Sequence, residues 1–452
     1  MANLVSLVAN IIVELTLIHS GAKPVTAKDD PFPLPRMIGT ANGGGIIVSR
    51  EVDDLIVSIS RELKSYDPGL GRRVQDNEWN RVVRAAFGPA LAAIDLSADL
   101  QINARSVLDD VKAAIANSMS AYGQREHAFA CTLFSNEISP FSIGPARFEP
   151  RRQWLQRKFD EGGISTTSYQ RIKKAWDGTR LGKRKPSIDS TREDDVLATI
   201  GNAPYVCSIS TDGFASEAGT EKALTAARVA LTSIALLWQT PSRALEGLNL
   251  SYDRTLHRRK TLSFVPGQIV LSSSQLSHMP HGPHLKAGEW EQMLAERFDH
   301  FETAAEILEY FVSPTGVVAR PKLMNTLGQA LLWFHEGCRE TVTLMAIVKF
   351  SASMDALGGG HKAGGIRKVI TARLGLKDDD PIRKNGPTMK NSIERIYGQG
   401  RSQTVHGTNN KLGHDWSSMR TVAEQFARIC LISCIDWAAN NPTADDPALL
   451  QK

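Results

Sequence analysis

The chain has 452 residues, of which 42% are hydrophobic and 22% charged, the ordinary balance of a folded soluble protein. Its length exceeds a single typical core, so two or three domains are expected. The 53 basic and 48 acidic residues leave a net charge of +5, too mild for a protein that coats nucleic acid by bulk charge.

Leu4, Leu7, Val8, Ile11, Leu15 and Ile18 recur at helical spacing. They predict an amphipathic helix docked on the body. No Lys or Arg precedes the run and Glu14 interrupts it, unlike a signal peptide, and it is short for a membrane span. Asp29–Arg36 is proline-rich and reads as a connector. Ala41–Gly45 reads as a tight turn or strand start, since no Lys-Ser/Thr pair follows as in a phosphate loop. Asp53–Leu63, Trp79–Leu91 and Val107–Met119 carry helical periodicity, and Glu126–Phe148 alternates as short strands do. Residues 1–200 are therefore expected to form a mixed α/β region of unreadable role.

Within it, residues 147–185 hold twelve Lys/Arg against four acids, with Trp154, Phe159, Tyr169 and Trp176 interleaved. Cations tracking a phosphate backbone while aromatics stack on bases would suit this mixture. A solvated helix pair with its aromatics turned inward explains it better. Gly182–Asp194 reads as a linker. Residues 201–290 are expected to form a small α/β module, with strands at Tyr205–Ser210, Leu262–Val265 and Gln268–Ser272 and a helix at Glu221–Trp238. His278, His281 and His284 are spaced by three, but proline and glycine between them deny a helix and no Asp, Glu or Cys ligand is adjacent. A turn is favoured over a metal site there.

Residues 291–445 read as a helical bundle. Its expected helices are Trp290–Phe311, Leu323–His335, Arg339–Leu357 with a kink near Gly337, Ile366–Leu374, Met389–Tyr397 and Trp416–Ala439. Gly358–Gly365 lacks Walker spacing and reads as a mobile loop between helices. Cys131, Cys207, Cys338, Cys430 and Cys434 are odd in number with no CxxC pair, the pattern of buried reduced thiols in a cytosolic protein.

Arg401-Ser402-Gln403-Thr404-Val405-His406, followed by Gly407, is the segment with the clearest catalytic chemistry. A guanidinium can hold non-bridging phosphate oxygens in a fork. An imidazole can pass a proton to or from a ribose oxygen. The spacing alone is also met by a surface arginine and a nearby packing or capping histidine. On a regular helix the two side chains would lie about 140° apart.

Tyr397–Gly407 resembles the signature of the HEPN superfamily, and within it the Apea-like HEPN domains, whose Arg-x4-6-His motif is often written with Ser or Asn after the Arg and Gly after the His. The order of helices around it is similar too, and the resemblance covers roughly residues 300–445. It implies a predominantly helical α+β protein ending in a HEPN-like bundle. It also implies a metal-independent RNA endonuclease, with the active site formed where two motifs meet across a homodimer. Arg401 and His406 are the catalytic residues so implied. Ser402, Tyr397 and Asp355 are the supporting candidates; Asp355, Glu336 or Glu340 could orient His406 or Arg401, although ordinary surface ion pairs explain these carboxylates better. Gly398 and Gly400 depart from a continuous helix, so the motif is expected to start a fresh helix after a bend. No cofactor and no membrane partner are expected. RNA is the expected substrate, residues 1–290 are a candidate surface for a regulatory protein, and a cytoplasmic toxin or antiviral defence effector is the role the resemblance suggests. The alternative is a non-catalytic HEPN-like module that binds nucleotide or RNA, or dimerises, in regulation.

Overall fold

Helix periodicity dominates the chain, and the computed structural model, which describes residues 2–25, 36–95, 98–253, 258–276 and 282–452, is a predominantly helical α+β protein. Two compact units divide it: residues 1–125 with 211–221, and residues 126–210 with 222–452. The expected borders at 200 and 290 do not separate compact units. One sheet draws strands from either side of residue 200, and pairing across a sheet overrides the change in composition seen along the chain.

The first unit comprises α1 (Ala2–His19), β1 (Arg36–Gly39), β2 (Gly45–Val48), α2 (Arg50–Ser65), α3 (Leu70–Arg73), α4 (Asp76–Ala92) and α5 (Leu100–Ser120). Leu4, Val8, Ile11, Leu15 and Ile18 are buried along one face of α1, as their spacing predicts. Leu4, Val8, Ile11 and Leu15 join a core with Ile56, Trp79, Phe87, Val107 and Val111. The Ala41–Gly45 turn closes an antiparallel ribbon in which Arg36 faces Val48 and Gly39 faces Gly45. Ser49 caps α2 by accepting from the Val52 amide, satisfying one of the helix's orphan donors. Residues 211–221 are held here through hydrogen bonds. The Ala215 amide donates to the Arg73 carbonyl at 2.9 Å. The Glu78 carboxylate accepts from the amides of Glu217 and Ala218 at 2.7 and 3.1 Å, an anion placed on a helix N-terminus. Most of the Asp29–Arg36 connector lies outside the described residues.

The second unit opens with β3 (Arg125–Thr132), β4 (Phe141–Ile143), β5 (Ala146–Pro150), α6 (Arg151–Asp160), α7 (Thr166–Trp176) and α8 (Ile188–Ile200). β6 (Tyr205–Thr211), α9 (Ser216–Ala235, whose residues up to Glu221 count with the first unit), α10 (Pro241–Gly247), β7 (Asn249–Leu250) and the hairpin β8 (Arg258–Val265) with β9 (Gln268–Leu276) follow. The five-stranded sheet has the order β4-β5-β6-β3-β7. The bundle then runs through α11 (Glu289–Glu296), α12 (Phe298–Val312), α13 (Pro321–Arg339), α14 (Thr343–Leu357), α15 (Lys362–Leu374) and α16 (Met389–Glu394). A π-helical turn at Arg395–Ser402, α17 (Gln403–Val405) and α18 (Ser417–Asn440) complete it. α14 is the central helix, packed against α13, α15, α18 and the π-turn. Arg320 is buried and donates to the Ala438 and Asn441 carbonyls at 2.6 and 3.0 Å, and to Glu306. It ties α12, α13 and the end of α18 together.

Several boundaries differ from expectation. The Gly182–Asp194 linker ends early because Ser187 and Ser190 form a reciprocal capping box that starts α8 at Ile188. The helix expected over Trp290–Phe311 breaks at Arg297. α13 runs straight through Gly337 to Arg339. That glycine is a packing position, since a Cβ there would sit 2.8 Å from the Phe350 ring. Gly358–His361 is a hydrogen-bonded turn and α15 already begins at Lys362, so the expected loop is half helix. All five cysteines are buried and free. Burial pushes the Cys430 thiol up to about 12, so it stays protonated and unreactive at neutral pH. Among the described residues no helix is long and apolar enough to cross a membrane.

Candidate functional site

The Arg401 motif does not start a fresh helix. α16 continues without a break into the π-turn, which contains both Gly398 and Gly400, and then into α17. A π-turn widens the helix by one residue and recurs at functional sites. Gly400 is required by close approach: a Cβ there would lie 2.5 Å from Cγ2 of the buried Ile347 on α14. The absent side chain lets this helix lie against α14.

Widening the turn places Arg401 beside Tyr397. Nη1 of Arg401 donates to the Tyr397 hydroxyl at 2.7 Å, and the guanidinium carbon lies 4.9 Å from the centre of the same ring. The cation thus meets both the oxygen and the π-face of one tyrosine. On the other side, Nη2 is 3.8 Å from Oδ2 of Asp355 near the end of α14, whose Oδ1 accepts from the Lys362 amide at 2.8 Å. Burial, and then the Asp355 charge, raise the Tyr397 hydroxyl above its ordinary value, so it is protonated at neutral pH. The Arg401 side chain retains 29% of its exposure. Its contacts with Tyr397 and Asp355 use part of its five-donor fork, and the rest is available to a ligand.

His406 occupies the helix end. Its amide donates to the Ser402 carbonyl at 3.0 Å, the Gly407 amide to Thr404 at 3.3 Å and the Thr408 amide to Gln403 at 2.8 Å. This is a Schellman cap, and Gly407 at φ +70° supplies its left-handed residue. The glycine after the histidine therefore has a structural reason: it stops the helix and leaves the imidazole exposed at its tip. Among the described residues no side chain hydrogen-bonds the His406 ring. Asn409, buried behind the cap, donates to Gln399 O at 3.4 Å and Thr404 Oγ1 at 3.0 Å, and accepts from the Lys411 amide at 2.8 Å. It fixes the segment that carries His406. The sequence reading missed Asn409. Its only local signal is a helix stop followed by a residue able to cap it.

Of the predicted site residues, the structure brings together Arg401, Tyr397 and Asp355. His406 stands at the helix tip, with no hydrogen bond to them among the described residues, and Ser402 contributes its backbone carbonyl. Asp355 faces Arg401, not His406. Glu336 and Glu340 face Lys349, at 3.7 and 2.9 Å, and take no part.

In the other RNA-facing candidate, residues 147–185, six of the twelve cations, Arg147, Arg152, Arg157, Lys158, Arg171 and Arg184, are paired with carboxylates. Trp154, Tyr169 and Trp176 are buried in a core with Leu155, Ile172 and Val206, and Phe159 packs against it. Arg157 is held by Glu126, Glu149 and Glu161, and Lys158 by Glu126 and Glu161. Burial acts to raise the Glu126 carboxyl, but the hydrogen bonds from Arg157 and Lys158 outweigh it and pull it down to about 2. Arg171 and Arg184 both reach the buried Glu193. The inward-facing reading is the one found, and none of the four aromatic rings of residues 154–176 is exposed. His284 bonds Ser135 across 3.0 Å, while His278 and His281 lie outside the described residues. Among the described residues no three His, Cys, Asp or Glu side chains gather as metal ligands. Comparison with known proteins gives no match to any protein family, curated protein or solved structure.

Proposed function

We propose that the chain is an RNA endonuclease of HEPN type that cleaves without a divalent metal, with Arg401 and His406 as catalytic residues in a homodimer. The observation that carries this reading is the pairing of a braced, partly open guanidinium with an exposed imidazole five residues on, at a helix end built to stop there. Arg401 would hold the non-bridging oxygens of a phosphodiester and stabilise charge as it builds in the transition state. His406 would take the proton of the ribose 2′-OH as that oxygen attacks phosphorus. The 5′ oxygen leaves with a proton, giving one product with a 2′,3′-cyclic phosphate and one with a 5′-hydroxyl. The need for a 2′-OH restricts the substrate to RNA.

Among the described residues no hydrogen bond or ion pair joins Arg401 to His406, and the reaction needs both a base and an acid. A second copy related by a twofold axis supplies another of each, so the active unit is a homodimer through the bundle. On this reading the protein acts in the cytoplasm as a growth-arresting toxin or antiviral effector, and residues 1–290 bind a regulatory partner. The engagement of Arg401 by Tyr397 and Asp355 also favours a second reading, a non-catalytic RNA-binding or dimerisation module. That reading expects RNA binding without cleavage. Incubating labelled RNA with the wild-type chain, with His406→Ala and with Arg401→Lys separates the two. The nuclease reading expects cleavage by the wild type only, because an ammonium cannot reproduce the guanidinium fork. Equal cleavage by His406→Ala refutes the site.

A further inference from the structure

A second cationic feature of the bundle lies away from the Arg401 motif. A cleft of about 600 Å³ runs along α15 and is lined by Arg367, Lys368, Thr371, Lys377, Asp378 and Lys452, among others. That volume falls within the roughly 300–1,000 Å³ typical of small-ligand sites. Its lining carries four cationic side chains, Arg367, Lys368, Lys377 and Lys452, and one carboxylate, Asp378, a side-chain balance of +3. Asp378 is engaged by Nη1 of Arg367 at 2.5 Å. The ammonium groups of Lys368, Lys377 and Lys452 have no acidic partner among the described residues, unlike Arg157 and Lys158.

A further observation points to a missing acceptor. Nε of Arg367 is buried and has no hydrogen-bond partner among the described residues. A buried N–H without an acceptor costs free energy, and such groups call for an explanation such as a ligand. The nearby Thr371 hydroxyl donates to the Leu376 carbonyl at 2.8 Å and does not accept from this Nε. Three unpaired ammoniums and a guanidinium with a spare donor match clustered phosphate oxygens, which take charge-assisted hydrogen bonds from both groups.

We propose that this cleft binds a polyphosphate group, contacted by Arg367, Lys368 and Lys377. Free polyphosphate and the 5′-triphosphate end of an RNA present the same chemistry. The site is independent of the nuclease reading, since it uses none of Arg401, Tyr397, Asp355 or His406.

Gly364 offers a steric probe that leaves the charges alone. It lines the cleft as a helical residue of α15, and a Cβ built on it meets no atom within 4 Å. Gly364→Leu therefore projects into open space without disturbing the fold and removes a helix-weakening glycine. Isothermal titration of the full chain with sodium tripolyphosphate, at 50 and 200 mM salt, tests the proposal. Saturable one-site binding is expected, weakening as salt rises. Lys368→Glu/Lys377→Glu should lower the affinity at least tenfold, and Gly364→Leu at least threefold with an unchanged or raised melting temperature. In parallel arms, a 5′-triphosphorylated RNA 12-mer is compared with its 5′-hydroxyl form on the His406→Ala chain. A preference for the triphosphorylated RNA exceeding that for tripolyphosphate assigns the source to RNA ends, and the reverse order assigns it to free polyphosphate. Absence of tripolyphosphate binding, or binding unchanged in both the charge-reversed and the Gly364→Leu chains, overturns the proposal whether or not the protein cleaves RNA.

Discussion

Replacing Asp355 should separate two jobs done by one carboxylate. Its Oδ1 accepts the Lys362 amide at 2.8 Å and so caps the start of α15, while Oδ2 stands 3.8 Å from Arg401. Loss of a capping acceptor costs about 0.5–2 kcal/mol, and leaving a part-buried donor unsatisfied at most about 1–3 kcal/mol. The ion pair is partly exposed and long, so it contributes about 0–1 kcal/mol. Asp355→Ala should therefore destabilise the chain by about 1–3 kcal/mol. Asp355→Asn keeps an oxygen for the Lys362 amide and should lose no more than about 1 kcal/mol. Both remove the charge beside Arg401, so both should impair RNA cleavage, the asparagine chain while nearly fully stable. Urea unfolding followed by circular dichroism gives the stabilities, and cleavage of a labelled RNA gives the rates. An asparagine chain as unstable as the alanine chain would refute the capping role. An asparagine chain that cleaves at the wild-type rate would refute the bracing role.

Other substitutions have equally definite expectations. His406→Ala should change stability by less than about 0.5 kcal/mol, because the imidazole is exposed and unbonded among the described residues; a shift in the urea midpoint equivalent to 2 kcal/mol or more would show a structural role instead. Arg320→Ala should destabilise by about 3–5 kcal/mol, since it strips Glu306 of its partner and leaves two carbonyls without a buried donor. Stability should also fall on acidification through His335. Burial, and then the Arg339 charge, lower this imidazole to about 3, so it folds neutral. The unfolded chain takes up its proton near 6.5, so the stability contribution is whole above that pH. It is lost as pH falls from 6.5 toward 3, at up to about 1.4 kcal/mol per pH unit. In His335→Leu the Thr232 hydroxyl still donates to the Arg228 carbonyl at 2.7 Å, and the slope between pH 6.5 and 5 should flatten; an unchanged slope contradicts this assignment.

Local periodicity made much of the bundle readable. The buried face of α1 and the cores of α13, α14 and α18 follow from apolar spacing that survives packing. What escaped the sequence depends on contacts between distant segments. Gly337 looks like a kink, yet it serves the Phe350 ring on the next helix. Gly400 looks like a helix breaker, yet it admits Ile347 and sits in a π-turn, whose extra residue has no periodic signature. The unit border escaped for the same reason, because strands from residues 125 to 250 enter one sheet. In the site, Arg401 and His406 stand out by residue type, and Tyr397 one helical turn before Arg401 follows from spacing. The choice of Asp355 over Glu336 and Glu340 does not. It depends on Lys349 engaging the two glutamates and on the turn of α15 reaching back to Asp355.

The most direct test of the central claim is the chemistry of the RNA ends. Purified wild-type chain is incubated with a defined RNA in excess chelator and the products are resolved by mass spectrometry. The account expects cleavage in chelator, fragments ending in 2′,3′-cyclic phosphate and 5′-hydroxyl, and none from a substrate with 2′-deoxyribose at the cleaved position. Cleavage that vanishes in chelator and returns with Mg²⁺, or fragments bearing 5′-phosphate, would contradict it.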